Sequence, residues 1–228
     1  MLASAPTPVL VAWSGGKDSS LALARLQRDP AYRICALVTA VTTGYDRISI
    51  HGVRRDLLER QATAIGLPLI IAPLAAGAPN AAYEEAWAGA LAEGASRFGG
   101  MNHIVYGDLF LEEVRAYRNA QLGALGWTPV YPIWGEHTAA LARAFVKDGF
   151  RAVLTCVDTT QLDAKFAGRE FDDAFLDELP PAVDPCGERG EFHTYVWDGP
   201  HMRHPVPVVA GERVLRDGRF QYCDFLAK

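Results

Sequence analysis

Ser14-Gly15-Gly16-Lys17-Asp18-Ser19 joins the apolar run Val9-Leu10-Val11-Ala12-Trp13 to the helical pattern Leu21-Ala22-Leu23-Ala24-Arg25-Leu26. A strand, a glycine turn and a helix start therefore follow one another without a gap. Paired glycines let the backbone turn tightly and approach a ligand with no Cβ in the way. The N–H groups at the new helix's N-terminus point into that turn, and the helix dipole favours an anion there. Lys17 adds a positive charge, and Ser14 and Ser19 add hydroxyls. The chemistry suits a polyphosphate.

The spacing is not that of Walker A, in which the first glycine stands well apart from the Gly-Lys pair. The order Ser-Gly-Gly-Lys-Asp-Ser instead resembles the PP-loop of the ATP pyrophosphatases, at every position and in the expected place after the first strand. Those enzymes split ATP into AMP and pyrophosphate while adenylating a substrate. Without the resemblance, the same residues also fit a tight turn whose lysine faces solvent.

Near-continuous aliphatic runs recur at Val9–Trp13, Ile34–Ala40, Pro68–Leu74 and His103–Leu109, as strands covered on both faces of a parallel sheet should. Helical patterns alternate with them. Leu57, Leu58 and Ile65 mark one, Tyr83, Trp87, Leu91 and Phe98 a second, and Glu112–Leu125 a third. This rhythm predicts an α/β fold with a doubly wound, mostly parallel sheet. Its ligands bind beyond the carboxyl ends of the strands, where Ser14–Ser19 falls.

Past Gly126 the punctuation changes. A helical pattern over Leu141–Val146 and a strand-like run at Ala152–Val157 lead to an antiparallel end. Its strands are expected at Phe192–Trp197, Val206–Val209, Arg213–Leu215 and Phe220–Phe225, with Asp217-Gly218 as a hairpin turn. The expected division is an ATP-binding domain over residues 1–128 and a smaller α+β domain over 129–228.

The chain's 228 residues are long enough to bury an adequate core. A net charge of −5 argues against broad nucleic-acid binding. No run approaches the roughly 18 apolar residues of a membrane span, and Met1–Pro8 lacks the basic region of a signal peptide. A cytoplasmic location is expected. Cys35, Cys156, Cys186 and Cys223 form no Cys-x-x-Cys pair, which disfavours zinc and dithiol chemistry. His201 and His204 sit in a proline-rich loop and lack an acidic or cysteine partner for a metal site.

A second constellation runs from Asp184 to Thr194, as Asp-Pro-Cys-Gly-Glu-Arg-Gly-Glu-Phe-His-Thr. Gly187 and Gly190 would let the loop approach a ligand. Glu188 and Glu191 suit a cation, Mg²⁺ with phosphates, or proton transfer; a solvated acidic loop leading into an edge strand is the other reading. In strand geometry Glu191, His193 and Tyr195 share one face.

Taken with the first loop, Gly187-Glu188-Arg189-Gly190-Glu191-Phe192-His193-Thr194 is similar to the second motif of the diphthine–ammonia ligase family, also called the diphthamide-synthase ATP-binding domain. That motif reads Gly-Glu-Gly-Gly-Glu-(Phe/Tyr)-(His/Glu)-Thr, and Arg189 replaces one glycine. His51-Gly52-Val53-Arg54, Gly66-Leu67-Pro68-Leu69, Gly107-Asp108 and Val114–Arg118 with Pro132-Ile133-Trp134 fit as well. The similarity spans about Val9 to Pro205.

The resemblance implies amide formation with ATP and Mg²⁺: a carboxylate is adenylated and ammonia then displaces AMP. It implies nucleotide contacts from Ser14, Gly15, Gly16, Lys17, Asp18, Ser19, Gly107 and Asp108, with Lys17 and Asp18 catalytic. Asp18 is a Mg²⁺ ligand or simply a helix-terminal acid. Asp108 is likewise a cleft residue or a cap. Adenine is expected near Val38–Thr43. His51, Gly187, Glu188, Gly190, Glu191 and Thr194 are the implied acceptor contacts.

The acceptor would be diphthine on the translocation elongation factor in a host that makes it, and otherwise a small molecule. Thiolation, another amidation, and ATP sensing without turnover are the competing activities. Arg115 and Arg118 share a helical face, read here as solvated. Two small domains around a cleft often associate as homodimers. No glutaminase arrangement is evident, so free ammonia is the expected nitrogen donor.

Overall fold

The computed structural model describes residues 5–48 and 52–228. The first half runs β1 (Thr7–Ala12), α1 (Lys17–Gln27), β2 (Tyr32–Thr43), α2 (Arg55–Ile65), β3 (Leu69–Ala75), α3 (Asn80–Arg97), β4 (His103–Val105), α4 (Glu112–Ala124) and β5 (Thr128–Val130). Its sheet has the order β3-β2-β1-β4-β5, and every neighbouring pair is parallel. The order reverses at β1 and β4, which opens a crevice at their carboxyl ends.

β1 shows why the run is apolar on every residue. Val9 and Val11 belong to one core with Leu23, Leu37 and Leu58, while Leu10 belongs to the other with Trp87, Leu91 and Ile104. Alternate side chains thus bury on opposite faces. Helices α1 and α2 cover the first face, and α3 and α4 the second.

The second half runs α5 (Thr138–Lys147), β6 (Arg151–Asp158), α6 (Asp173–Glu178), β7 (Phe192–Asp198), β8 (Val208–Arg216) and β9 (Phe220–Ala227). Its antiparallel sheet has the order β7-β6-β9-β8. The α/β architecture with a smaller antiparallel second unit is as the sequence predicts.

Several details differ. The short run Thr128–Val130 pairs with β4 and completes the parallel sheet, so the chain leaves that sheet only after Val130. The run at His103 is sheet-paired only to Val105, and residues 106–108 line the crevice instead. Val206–Val209 and Arg213–Leu215 are not two strands. One strand, Val208–Arg216, stands there, interrupted by a bulge between Ala210 and Arg213, and Val206 and Pro207 precede it. The expected hairpin turn is present: Asp217 and Gly218 have φ of 52° and 61°, the left-handed pair that a two-residue turn of this twist needs.

The two halves share a core. Tyr195 and Phe192 of β7 and Phe145 of α5 belong to the same apolar cluster as Val9 and Leu58. A charged clasp reinforces the junction. Asp224 of β9 accepts from Arg47 Nη1 at 2.6 Å and from Arg54 Nη2 at 2.6 Å. Burial works against the Asp224 carboxylate, yet the two guanidinium groups hold it well below its ordinary range.

His201 closes the junction on another side. Its ring stacks on Phe150 at 5.3 Å and lies 6.1 Å from Trp13. Neither ring nitrogen has a hydrogen-bond partner among the described residues. Burial therefore pushes its pKa down to about 4, from an ordinary 6.5. Between these values the unfolded chain binds a proton that the native ring refuses, so this site loses stability as pH falls through that window. Replacing His201 with Phe should reduce the loss of unfolding free energy between pH 7 and pH 5 by about 2 kcal/mol. Urea denaturation at the two pH values checks this.

Candidate active site

The turn between β1 and α1 is shaped by residues far away in sequence. Gly15 has φ of 75°, and a Cβ there would stand 2.7 Å from both Gln61 Oε1 and Leu58 Cδ2; only glycine fits. Gln61 of α2 is fully buried and ties three segments together. Its Nε2 donates to Gly15 O at 3.0 Å and to Val196 O at 2.6 Å, and its Oε1 accepts from Trp13 Nε1 at 3.0 Å. Val196 N donates to Gly15 O at 2.9 Å. The loop is thus gripped by α2 and by β7, an element of the second unit.

Within the turn, Gly16 N donates to Ser14 Oγ at 3.2 Å and Ser19 Oγ to Gly16 O at 3.0 Å. The N-cap residue of α1 is Gly16, and Ser14, Asp18 and Ser19 at this end of the helix line the crevice. Thr194 of β7 accepts from Lys17 N at 3.0 Å. That contact puts the Thr194 hydroxyl into positioning the loop.

Lys17 is 1% exposed and ion-pairs with Asp18. Burial would strip its proton, but Asp18, with Cys186 and Glu188 further off, raises its pKa above the ordinary value. The ammonium stays charged. From the other side of the switch point, the chain after β4 passes so near α1 that a Cβ on Gly107 would lie 2.6 Å from the Asp18 carbonyl carbon. Gly107 is a close-approach glycine.

Over this loop opens a cleft of about 610 Å³. One wall carries Ala12, Thr39, Ala40 and Leu74 from β1–β3 and the residues after them. The opposite wall is aromatic. Tyr83 stacks on Trp87 at 5.9 Å, and Trp87 Nε1 donates to Tyr106 Oη at 3.0 Å. Arg118 lies over the Tyr106 ring at 4.2 Å and pairs with Asp108 at 2.8 Å. The expectation of a solvated Arg118 is corrected: the rings and the Asp108 carboxylate draw it into the cleft wall. Arg115, on the same helix, lies over the Trp134 ring at 4.4 Å.

The loop before β7 supplies the third side. Asp184 Oδ1 accepts from Cys186 N at 2.8 Å, while Glu191 accepts from Asp184 N and Arg189 N, each at 2.9 Å. Glu191, 1% exposed, is thereby spent on the loop's own backbone. Glu188 is directed into the cleft, where it accepts from Leu109 N at 2.7 Å. Burial, reinforced by Asp18 and Asp108, pushes its pKa up to about 7. His193 also lines the cleft, and burial with Lys17 nearby pulls it down to about 4.

Ser14, Asp18, Ser19, Gly107, Asp108, Gly187, Glu188 and Gly190 therefore meet around one cavity, with Gly15, Gly16 and Lys17 beneath it. Glu191 and Thr194 support that cavity from behind. His51 lies outside the described residues. Sequence reasoning passed over Gln61 and the Tyr83–Trp87–Tyr106 wall. Gln61 carried a signal, being a polar residue on the apolar stripe of Leu57, Leu58, Ala62 and Ile65. Tyr83 and Trp87 matched a core-facing pattern, which hides that one edge of the wall faces the cleft.

Such a loop at the switch point of a parallel sheet places the molecule among α/β proteins of the PP-loop, HUP-like kind. Comparison with known families narrows this. Residues 7–121 match the diphthamide synthase N-terminal domain, and residues 137–224 the diphthamide synthase C-terminal domain. The chain belongs to the diphthamide synthase family. No curated protein matches it. No helix among the described residues is long and apolar enough to cross a membrane.

Replacing Gln61 with Leu would leave Trp13 Nε1 without its acceptor and remove one donor each from Gly15 O and Val196 O in a dry site. A loss of about 3 kcal/mol in unfolding free energy is expected, measured by urea titration.

Proposed function

We propose that this protein is an ATP-dependent amide ligase that forms AMP and pyrophosphate. It would adenylate a carboxylate acceptor and then exchange AMP for ammonia. Diphthine is the acceptor that the family suggests; a small carboxylate is the alternative where the host lacks it. The observation that carries the reading is a buried lysine, kept charged, in a glycine turn whose Ser14, Asp18 and Ser19 line the same cleft as Glu188.

In this reading Lys17 and the loop amides hold the negative charge that builds on departing pyrophosphate. Removing one preorganised donor of this kind costs on the order of 10²-fold or more in rate. The wall of Ala12, Thr39, Ala40 and Leu74 would receive the adenine. Asp108 holds Arg118 against Tyr106, shaping the opposite side, where the acceptor would lie.

Mg²⁺ in nucleotide sites takes one or two carboxylates and fills its shell with phosphates and water. Among the described residues no group of three His, Cys, Asp or Glu could hold a metal unaided. Asp18, 32% exposed beside the loop, suits the single-carboxylate role. Mg²⁺ would supply neutralisation of phosphate charge.

Glu188 has the role that its position and titration suit. When ammonia nitrogen bonds the acceptor carbonyl carbon, the C–O bond to AMP breaks and one N–H proton must depart. Glu188, ionised above about pH 7, accepts it.

Incubation with ATP, Mg²⁺, ammonium and candidate acceptors should release AMP and pyrophosphate; ADP with orthophosphate would reject the mechanism. Lys17→Ala should lower turnover about 10²- to 10³-fold, read by pyrophosphate release, with the circular dichroism spectrum unchanged. At a fixed concentration of free ammonia, the amidation rate should rise through about pH 7 as Glu188 loses its proton. The Glu188→Gln variant should be slower and lack that limb.

A further inference from the structure

The charges around the cleft are unevenly settled. Asp18 is paired with Lys17, and Asp108 with Arg118. Glu191 is closed off by two backbone donors. Glu188, with a pKa raised to about 7, carries only part of a negative charge near neutrality. His193 is neutral there, since its pKa is down to about 4. Little uncompensated negative charge remains to attract a cationic acceptor.

Arg189 is the exception. It stands between Glu188 and Gly190, both of which line the cleft, yet its own side chain is exposed. Its backbone N–H is fixed on Glu191 Oε2. Its guanidinium lies 5.5 Å from the centroid of Phe110, immediately before the cleft-lining Leu111. No described carboxylate comes within ion-pair distance of it. Glu112 and Glu113, at the head of α4, are outside the cleft lining. The result is an unpaired guanidinium, propped on an aromatic ring, at the rim of an otherwise compensated cavity in a chain of net charge −5.

We infer that Arg189 selects an acceptor bearing a second anionic group, a carboxylate or a phosphate, beyond the carboxylate that is activated. This rests on the ligase reading for which end of the molecule reacts and, within it, takes the small-carboxylate acceptor over diphthine, which carries a trimethylammonium group; the selection itself is a matter of binding. A planar guanidinium with free donors suits bidentate contact with either oxyanion. A trimethylammonium group at the same rim would meet like charge instead.

The test is equilibrium binding in the presence of AMP, followed by the fluorescence of Trp13 and Trp87 in the cleft wall. The probes are glutarate and 4-phosphonobutyrate, compared with pentanoate and 4-(trimethylammonio)butyrate. The two dianions should bind roughly tenfold or more tightly than the other pair, as a charge-assisted contact allows. Their relative affinity shows whether carboxylate or phosphate is the better fit. Arg189→Gln should bring all four probes to within about twofold, and Arg189→Lys should retain part of the preference.

Equal binding of the four probes, preference for the trimethylammonium probe, or no binding of any of them would overturn the inference. So would an Arg189→Gln variant that weakens AMP while leaving the dianion preference intact, since the arginine would then serve the nucleotide. Failure here with ATP-dependent pyrophosphate release intact condemns the acceptor class alone. Failure of the Ser14–Ser19 loop to bind nucleotide condemns the reading beneath it.

Discussion

The buried carboxamide of Gln61 sets the shape of everything above it. One side chain satisfies the carbonyls of Gly15 and Val196 and the indole N–H of Trp13, so α2, β1 and β7 are fixed relative to the glycine turn. Amide groups in such a dry location have no water to fall back on. The turn is therefore stabilised in one conformation before any ligand arrives. Preorganised donors are worth more in binding and catalysis than donors that must first be ordered.

That arrangement also explains why the second unit is inseparable from the site. β7 supplies Thr194 to the Lys17 N–H and Val196 to the Gly15 carbonyl. The loop leading into β7 supplies Glu188 to the cleft. The Asp224 clasp on Arg47 and Arg54 holds the same junction from the opposite end. A site built this way has its glycine-turn floor on one unit and a titrating carboxylate on the other. Relative movement of the sheets would disturb both.

Within the cleft, compensation of charge is the governing theme. A buried lysine survives as an ammonium because Asp18 is adjacent, and Arg118 enters an aromatic wall because Asp108 meets it there. Unpaired, either cation would resist burial. Glu188 lacks such a partner and is displaced toward neutrality instead. The contrast separates groups that are held charged from one that titrates near neutrality.

Much of this was legible in the chain. Apolar runs with no polar alternation announced strands buried on both faces, and the Asp217-Gly218 pair announced its hairpin. The charged sextet after β1 located the floor of the cleft, since paired glycines between an apolar run and a helical pattern mark a turn locally. β5 was not legible: three residues containing a proline carry too little pattern, and only pairing with β4 makes them a strand.

The roles of individual side chains were harder. Glu188 and Glu191 are indistinguishable by composition, yet one faces the cavity and the other is consumed by its own loop. Arg115 and Arg118 share a helical face, and aromatic rings from distant elements decide what they meet. Sequence determined the strand–turn–helix and the order of elements, because those follow from nearest-neighbour propensities and periodicity. Tertiary structure decided which charges are neutralised and which remain open, because that depends on groups brought together from opposite ends of the chain.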